Sequence, residues 1–227
     1  MQVIPVVDLK GGVVVRAQRG DRAAYRPIET PLAATSDAVD VVRGLLALHA
    51  FRTLYVADLD AIMATGDNVD AIRRIRQAFP SLDLWIDNGA ADAGALDALS
   101  ASKLGAPVIG SESQRDGALL SRVAEALLSL DFRGDAFLGP LEILERPELW
   151  PQRIIVMTLA RVGSAAGPDI ERLAAIRAIA DGRMIYAAGG VRDANDLSML
   201  RAAGLAGAIV ATALHDGHLT GAEIARF

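Results

Sequence analysis

The 227-residue chain contains no cysteine, which excludes disulfide bonds and thiolate metal sites. Aromatic residues make up only 4 % of the sequence, whereas hydrophobic residues make up 52 %. The core must therefore be built mainly from Ala, Val, Leu and Ile, which suits buried parallel strands covered by alanine-rich helices. No apolar run approaches the roughly 18 residues of a membrane-spanning helix, and the N-terminal segment lacks the pattern of a signal peptide.

Basic stretches are absent as well, and the net charge is −5 with the acidic residues scattered along the chain. This pattern does not favour nucleic-acid binding. We therefore expect a cytoplasmic protein that engages neither nucleic acid nor membrane. His49, His215 and His218 show no spacing typical of metal ligands, so we expect no metal site.

Eight short apolar segments recur along the chain, and helical patterns separate most of them. The predicted strands are residues 3–7, 53–57, 83–86, 106–110, 126–130, 153–157, 184–188 and 207–211. The clearest helical patterns, with apolar residues three and four apart, cover residues 37–50, 68–79 and 169–180. Strands alternating with helices in this number predict an α/β fold, a (β/α)8 TIM barrel. A doubly wound open sheet is the alternative.

The second half of the chain repeats the first in outline. The aligned segments are 6–12 with 129–135, 55–61 with 155–161, 86–99 with 187–200, and 104–112 with 205–213. The spacings also agree, since Asn88 and Gly110 are 22 positions apart and Gly189 and Ala211 are 22 positions apart. These matches predict one domain over residues 1–227, with half-barrels at about 1–118 and 119–227 related by an internal two-fold repeat.

Asp8 and Asp131 occupy matching positions after the first and fifth predicted strands. In a barrel these strands lie opposite each other, and both residues lie at the C-terminal end, where barrel active sites form. Two carboxyls across one pocket can act as general base and general acid when their environments tune their pKa values. The alternative is that each aspartate only caps a loop.

A glycine pair, Gly189 and Gly190, follows the seventh predicted strand and precedes a helical pattern. Glycine lets backbone N–H groups approach an anion closely, and helix N-termini favour phosphate. With Ala211 and Thr212 after the eighth strand, the pair predicts a phosphate site, because the last two loops of many barrels form one. A tight turn is the alternative. Arginines of the first loop, among them Arg16, are further candidates to bind a phosphate.

Several motifs together resemble the histidine-biosynthesis barrel family, and its isomerase branch (HisA) more than its cyclase branch (HisF). They are "VIPVVDLKGGVVVRAQRGD", "LYVADLDAIMATGDN", "SLDFR" and "AAGGVRDANDL", and the resemblance extends over nearly the whole chain. It implies a cofactor-free Amadori rearrangement of a phosphorylated aminoaldose, the conversion of ProFAR to PRFAR in histidine biosynthesis.

The resemblance also implies residue roles. Asp8 would be the base that removes the C2 proton, Asp131 the acid that opens the ribose ring, and Thr158 would assist at the ring. The two halves would hold the two phosphates of the substrate. The residues implied in binding are Arg16, Gly20, Asn88, Gly89, Gly110, Ser111, Gly189, Gly190, Ala211 and Thr212.

The chain departs from the family pattern at four places. "DNGAA" at 87–91 replaces a glycine-rich loop that ends in arginine, and Leu-Gly-Pro at 138–140 replaces Arg-Gly-Trp. Leu159 occupies the position of an aspartate in the family, and Arg-Val-Gly at 161–163 replaces Arg-Asp-Gly. These changes predict a weakened first-half phosphate site. They leave open an enzyme for a different, monophosphorylated substrate, as in pterin or furan C1-cofactor biosynthesis, or a non-catalytic phosphate-binding barrel. We expect a monomer or weak homo-oligomer.

Overall fold

A computed structural model describes residues 1–17, 21–121, 126–164 and 166–227 and shows eight parallel strands closed into a barrel. The strands are β1 (Gln2–Lys10), β2 (Thr53–Asp58), β3 (Asp83–Asp87), β4 (Ala106–Gly110), β5 (Leu127–Arg133), β6 (Arg153–Thr158), β7 (Met184–Ala188) and β8 (Gly207–Val210). They pair in chain order, and β8 closes the barrel by pairing with β1. The predicted (β/α)8 barrel is therefore confirmed, and the open sheet is excluded.

Helices connect the strands. They are α1 (Ala38–Leu48), α2 (Leu59–Ile62), α3 (Val69–Ala78), α4 (Ala93–Ser102), α5 (Leu141–Glu145), α6 (Ile170–Ile179), α7 (Ala194–Ala202), α8 (Thr212–His215) and α9 (Gly221–Ile224), with 3-10 turns at Ser111–Ser113, Ala118–Ser121, Pro147–Leu149 and Leu159–Arg161. The three clearest helical predictions correspond to α1, α3 and α6. Across the described ranges, none of the helices is long and apolar enough to cross a membrane.

Short antiparallel strands extend β1 and β5 at the C-terminal end of the barrel. Val13–Arg16 pairs with β1 and with Arg26–Pro27, and Ala136–Leu138 pairs with β5. Because Asp8 lies opposite Val15 and Asp131 lies opposite Leu138 in these ladders, each aspartate is held at the base of a hairpin.

The strands are buried on both faces, which explains their nearly continuous apolar sequences. Inside the barrel, Ile4, Tyr55, Trp85 and Tyr186 form part of one core cluster. The rings of Trp85 and Tyr186 meet edge to face with centroids 4.9 Å apart. Residues of the opposite face, such as Leu54, pack in the outer core with the helices. These bulky side chains fill the interior, so the open space lies at the C-terminal ends of the strands.

A buried polar network joins the loops after β1 and β2. Asn68 donates from Nδ2 to Asp58 at 2.7 Å and to Asp60 at 2.9 Å, and its Oδ1 accepts the Gly12 N–H at 2.8 Å. The Asp58 carboxylate also accepts the backbone N–H groups of Asn68 at 2.8 Å and Ala61 at 3.1 Å. The network therefore fixes the hairpin that follows Asp8 against the end of β2.

Candidate active site

A cavity of about 400 Å³ opens among the C-terminal ends of the barrel strands. Asp8, Asp87 and Asp131 line it from β1, β3 and β5. The structure therefore brings together the two aspartates predicted from the sequence and adds a third. Asp87 was not predicted from the sequence as a site residue. The internal repeat offered a signal for it, because this charged residue aligns with an apolar one, Ala188, in the second half.

Asp131 is buried and held in place by neighbouring donors. Its Oδ1 accepts the Ser129 hydroxyl at 2.6 Å, and its Oδ2 accepts the Glu112 N–H at 3.1 Å. Burial raises the pKa of Asp131 to about 7, against the lowering effect of the Ser129 hydrogen bond, and the charge of Asp87 raises it as well. At neutral pH this carboxyl can therefore carry a proton.

Asp8 faces the same cavity with fewer constraints. The described residues give its carboxyl no hydrogen bond, so its oxygens remain available to a ligand. Burial raises the pKa of Asp8 to about 7, the Arg22 guanidinium opposes that rise, and the charge of Asp87 adds to it. Asp8 can therefore also exchange a proton near neutral pH.

Asp87 lies at the end of β3 and influences both of the other carboxyls. Its carboxylate accepts the Tyr55 hydroxyl at 3.0 Å and the Gly89 N–H at 3.1 Å. Burial raises its pKa to about 6. A Cβ on Gly110 would lie 3.6 Å from Asp87 Oδ2 and 3.3 Å from Asp131 Oδ2, so the two carboxyls approach the same point. Three titratable carboxyls thus share one cavity, an arrangement suited to acid–base chemistry.

The glycine pair after β7 is required by close backbone packing. Gly189 and Gly190 have φ angles of 99° and 91°, which L side chains rarely adopt. A Cβ on Gly189 would lie 2.6 Å from the carbonyl oxygen of Thr158, and one on Gly190 would lie 2.2 Å from that of Gly167. The pair is therefore explained by packing whether or not an anion binds there.

Residues with available backbone donors also line the cavity from this half of the barrel. Gly190, Val191, Thr212 and Ala213 line it, and their backbone N–H groups have no acceptor among the described residues. By contrast, the side chain of Asp193 caps the N-terminus of α7. The available donors therefore belong to the loops after β7 and β8, where the sequence predicts the phosphate.

The first-half loops are differently arranged. Asn88, Gly89, Gly110 and Ser111 are not among the described residues that line the cavity. The Gly89 N–H donates to Asp87, and the Ser111 hydroxyl donates to the carbonyl oxygen of residue 138 at 2.7 Å. Asn88 Oδ1 is buried without a partner among the described residues. The Gly89 N–H and the Ser111 hydroxyl therefore hold these loops together and are not free to bind a ligand.

Arg16 and Thr158 are not among the described residues that line the cavity. Arg16 pairs with Asp216 at 2.8 Å and lines a smaller neighbouring pocket. Thr158 is buried at the end of β6, whereas Met157 and Leu159 on either side of it line the cavity. Gly20 lies outside the described residues. The roles of these three residues stay predictions.

Comparison with known proteins agrees with the barrel fold and with the resemblance of the motifs to the histidine-biosynthesis family. A family described as "Histidine biosynthesis protein" matches residues 2–220. A protein of Thermus thermophilus is 31 % identical over 96 % of both chains. It is named as the isomerase of a 1-(5-phosphoribosyl) imidazole-4-carboxamide that bears a (5-phosphoribosylamino)methylideneamino group.

Two further relatives match along the whole length. A Myxococcus xanthus protein with the same name is 27 % identical over 100 % of this chain and 98 % of its own. An uncharacterised protein of Methanocaldococcus jannaschii is 28 % identical over 99 % of this chain and 97 % of its own. With the closed barrel and the family match over residues 2–220, these similarities show that the chain belongs to the histidine biosynthesis protein family.

Proposed function

We propose that the protein is an aldose–ketose isomerase that carries out an Amadori rearrangement on a phosphorylated aminoaldose. The observation that carries this proposal is the pair of opposed carboxyls, Asp8 and Asp131, which face one cavity with pKa values raised to about 7. The full-length relatives named as isomerases support the reaction class.

The reaction needs one acid and one base. Asp131 in its protonated form donates to the ring oxygen, the bond from that oxygen to C1 breaks, and the nitrogen lone pair forms a C1=N bond. Asp8 as carboxylate then removes the C2 proton, which gives an enaminol. Protonation at C1 and loss of the C2 hydroxyl proton yield the aminoketose. The C2 proton is replaced by one at C1, so the rearrangement is redox-neutral overall and needs no external oxidant.

The phosphate anchor of this proposal is the set of four N–H groups on the loops after β7 and β8. The four residues line the cavity, their N–H groups have no acceptor among the described residues, and backbone amides of this kind bind phosphate oxygens. Titration of ¹⁵N-labelled protein with inorganic phosphate is expected to shift the amide resonances of Gly190, Val191 and Thr212. If phosphate shifts only resonances elsewhere, the anchor is wrongly placed.

The two half-barrels, about 1–118 and 119–227, remain part of the proposal. The antiparallel hairpins that follow β1 and β5 support the repeat, because each holds an aspartate in the corresponding position. In this view the acid and the base descend from one ancestral residue.

The test of the reaction is a conversion assay with ProFAR, whose two phosphoribosyl groups appear in the names of the relatives. Turnover that is lost in both Asp8→Asn and Asp131→Asn, with an unchanged circular dichroism spectrum, supports the proposal. The control is Asp97→Asn on the exposed face of α4. Full turnover in either active-site variant would refute the acid–base assignment.

If the wild-type protein does not convert ProFAR, the substrate differs or the barrel is non-catalytic. The same assay on a monophosphorylated aminoaldose then separates these alternatives.

A further inference from the structure

We propose that Asp87 selects a protonated amine at the end of the cavity opposite the phosphate anchor, so that the substrate carries one phosphate and one cationic group. This inference rests on the proposed function, since it takes the loops after β7 and β8 as the phosphate anchor. The substrate proposed here differs from the compound in the names of the relatives, which contains two phosphoribosyl groups.

The internal repeat shows how the two ends of the cavity differ. In the alignment of the two halves, Asp87 corresponds to Ala188 and Glu112 corresponds to Ala213. All four residues line the cavity. The end proposed to bind phosphate thus has two methyl groups where the opposite end has two carboxyls.

The carboxyls at this end also occupy two of the backbone donors that an anion would need. Asp87 accepts the Gly89 N–H at 3.1 Å, and Asp131 accepts the Glu112 N–H at 3.1 Å. In the other half, the corresponding N–H groups, those of Gly190 and Ala213, have no acceptor among the described residues. A second phosphate would therefore meet carboxylate oxygens in place of these two donors.

With its carboxyls ionised, this end of the cavity is strongly negative. Asp8, Asp87, Glu112 and Asp131 all line the cavity, and Arg22, which lines it with them, is already in an ion pair with Glu112. A phosphate here would be repelled, and a cationic group would offset the excess of negative charge. The Asp8 carboxyl, which has no hydrogen bond from the described residues, contributes to this negative charge.

Asp87 can accept the amine without losing its present contacts. A carboxylate offers about four acceptor sites, and Tyr55 and Gly89 use two of them. Those two contacts hold the carboxylate in a fixed orientation, which favours a directed, charge-assisted hydrogen bond. The role of Asp87 is thus specificity: it binds the far end of the substrate while Asp8 and Asp131 act on the reacting carbons.

The test compares three head groups on the same alkyl phosphate. Aminoalkyl phosphates, hydroxyalkyl phosphates and alkanediol bisphosphates with three to six methylenes are titrated by calorimetry at pH 8, where the carboxyls are ionised. The tightest aminoalkyl phosphate is expected to bind about tenfold more tightly than the matched hydroxyalkyl phosphate, with the bisphosphate weakest. A bisphosphate that binds as tightly as the amine, or more tightly, would overturn the proposal.

Variants assign the effect to the residues. Asp87→Asn is expected to remove the tenfold preference for the amine, and Asp87→Asn with Glu112→Gln is expected to make the bisphosphate the tighter ligand, because Arg22 loses its partner. Asp83→Asn, the same change at the other end of β3, is the matched control and should keep the wild-type order. An amine preference that survives in Asp87→Asn would exclude Asp87 as its cause.

One further probe separates this proposal from the proposed function. An unphosphorylated aminoalkanol should bind far more weakly than the aminoalkyl phosphate if the phosphate anchor is correct. Equal binding of these two compounds would refute the phosphate anchor. If the bisphosphate binds tightly and its binding needs both phosphates, only the amine site is refuted.

Discussion

Asp87→Asn is expected to lower the pH at which both Asp8 and Asp131 lose their protons. The charge of Asp87 raises the pKa of each of these carboxyls, so a neutral side chain of the same shape removes that contribution. The direction follows from the sign alone: a carboxylate next to fewer negative charges ionises more easily. Asn keeps an acceptor for Tyr55 or Gly89, and the fold is expected to be retained.

The magnitude can be worked from the geometry around Gly110. The Oδ2 atoms of Asp87 and Asp131 lie 3.6 and 3.3 Å from a common point, so they are no more than about 7 Å apart. Two unit charges at ~7 Å interact by about 2.4 kcal/mol at an effective dielectric constant of about 20, and by about half of that if solvent in the cavity doubles it. Since 1.36 kcal/mol corresponds to one pKa unit, the titration of Asp131 should move down by about one to two pH units.

The assay is ¹³C NMR of protein labelled at the aspartate carboxyl carbons, with Asp8→Asn and Asp131→Asn used for assignment. In the wild type, three carboxyls should titrate near pH 6 to 7, and in Asp87→Asn the remaining two should titrate at lower pH. The control Asp83→Asn should leave all three unchanged. A titration of Asp131 that stays in place or moves upward in Asp87→Asn would refute the electrostatic coupling of the three residues.

Three further predictions concern stability, each measured by urea unfolding. Burial raises the pKa of Asp87 in the folded state to about 6, so its contribution to stability is present at pH 4 and lost as the pH rises through 6. Asp87→Asn should therefore raise the free energy of unfolding by about 1–3 kcal/mol at pH 8 and by little at pH 4. No gain at pH 8 would contradict the burial of this charge. Asn68→Ala should cost about 2–4 kcal/mol, because it leaves the buried Asp58 carboxylate without a side-chain donor, and a cost below 1 kcal/mol would mean that the network relaxes around the gap. Gly190→Ala should cost more than about 2 kcal/mol, since its Cβ would lie 2.2 Å from the Gly167 carbonyl oxygen at a φ of 91°, and a neutral effect would show that this loop moves freely.

The fold could be predicted from the sequence because its determinants are local. Each strand is a short β-branched apolar run, and each of the clearest helices has its own three- and four-residue pattern, so these elements could be located without knowledge of their neighbours. The closure of the barrel followed from their number and order. Asp8 and Asp131 could be placed for the same reason, because a residue that follows a barrel strand must lie at the C-terminal face.

The details of the site depend on contacts between segments that are distant in sequence. In the sequence, Asp87 is only part of a loop that replaces a glycine-rich one. Nothing local shows that Tyr55 donates to it or that its carboxyl approaches the same point as Asp131. The glycine pair illustrates the converse. Gly189 and Gly190 suggested an anion, but the steric demand on them comes from the carbonyls of Thr158 and Gly167, which the sequence could not place beside them.

The network around Asn68 has a consequence for engineering by loop exchange. The hairpin after β1 takes its support from Asp60 and Asn68, which belong to the loop after β2. A chimera that takes the loop after β1 from a relative but keeps the original loop after β2 would place a foreign hairpin against Asp60 and Asn68. These acceptors are positioned for the original hairpin backbone. The two loops should therefore be transplanted as one module, and a chimera that divides them is expected to misplace Asp8 even when the barrel itself remains intact.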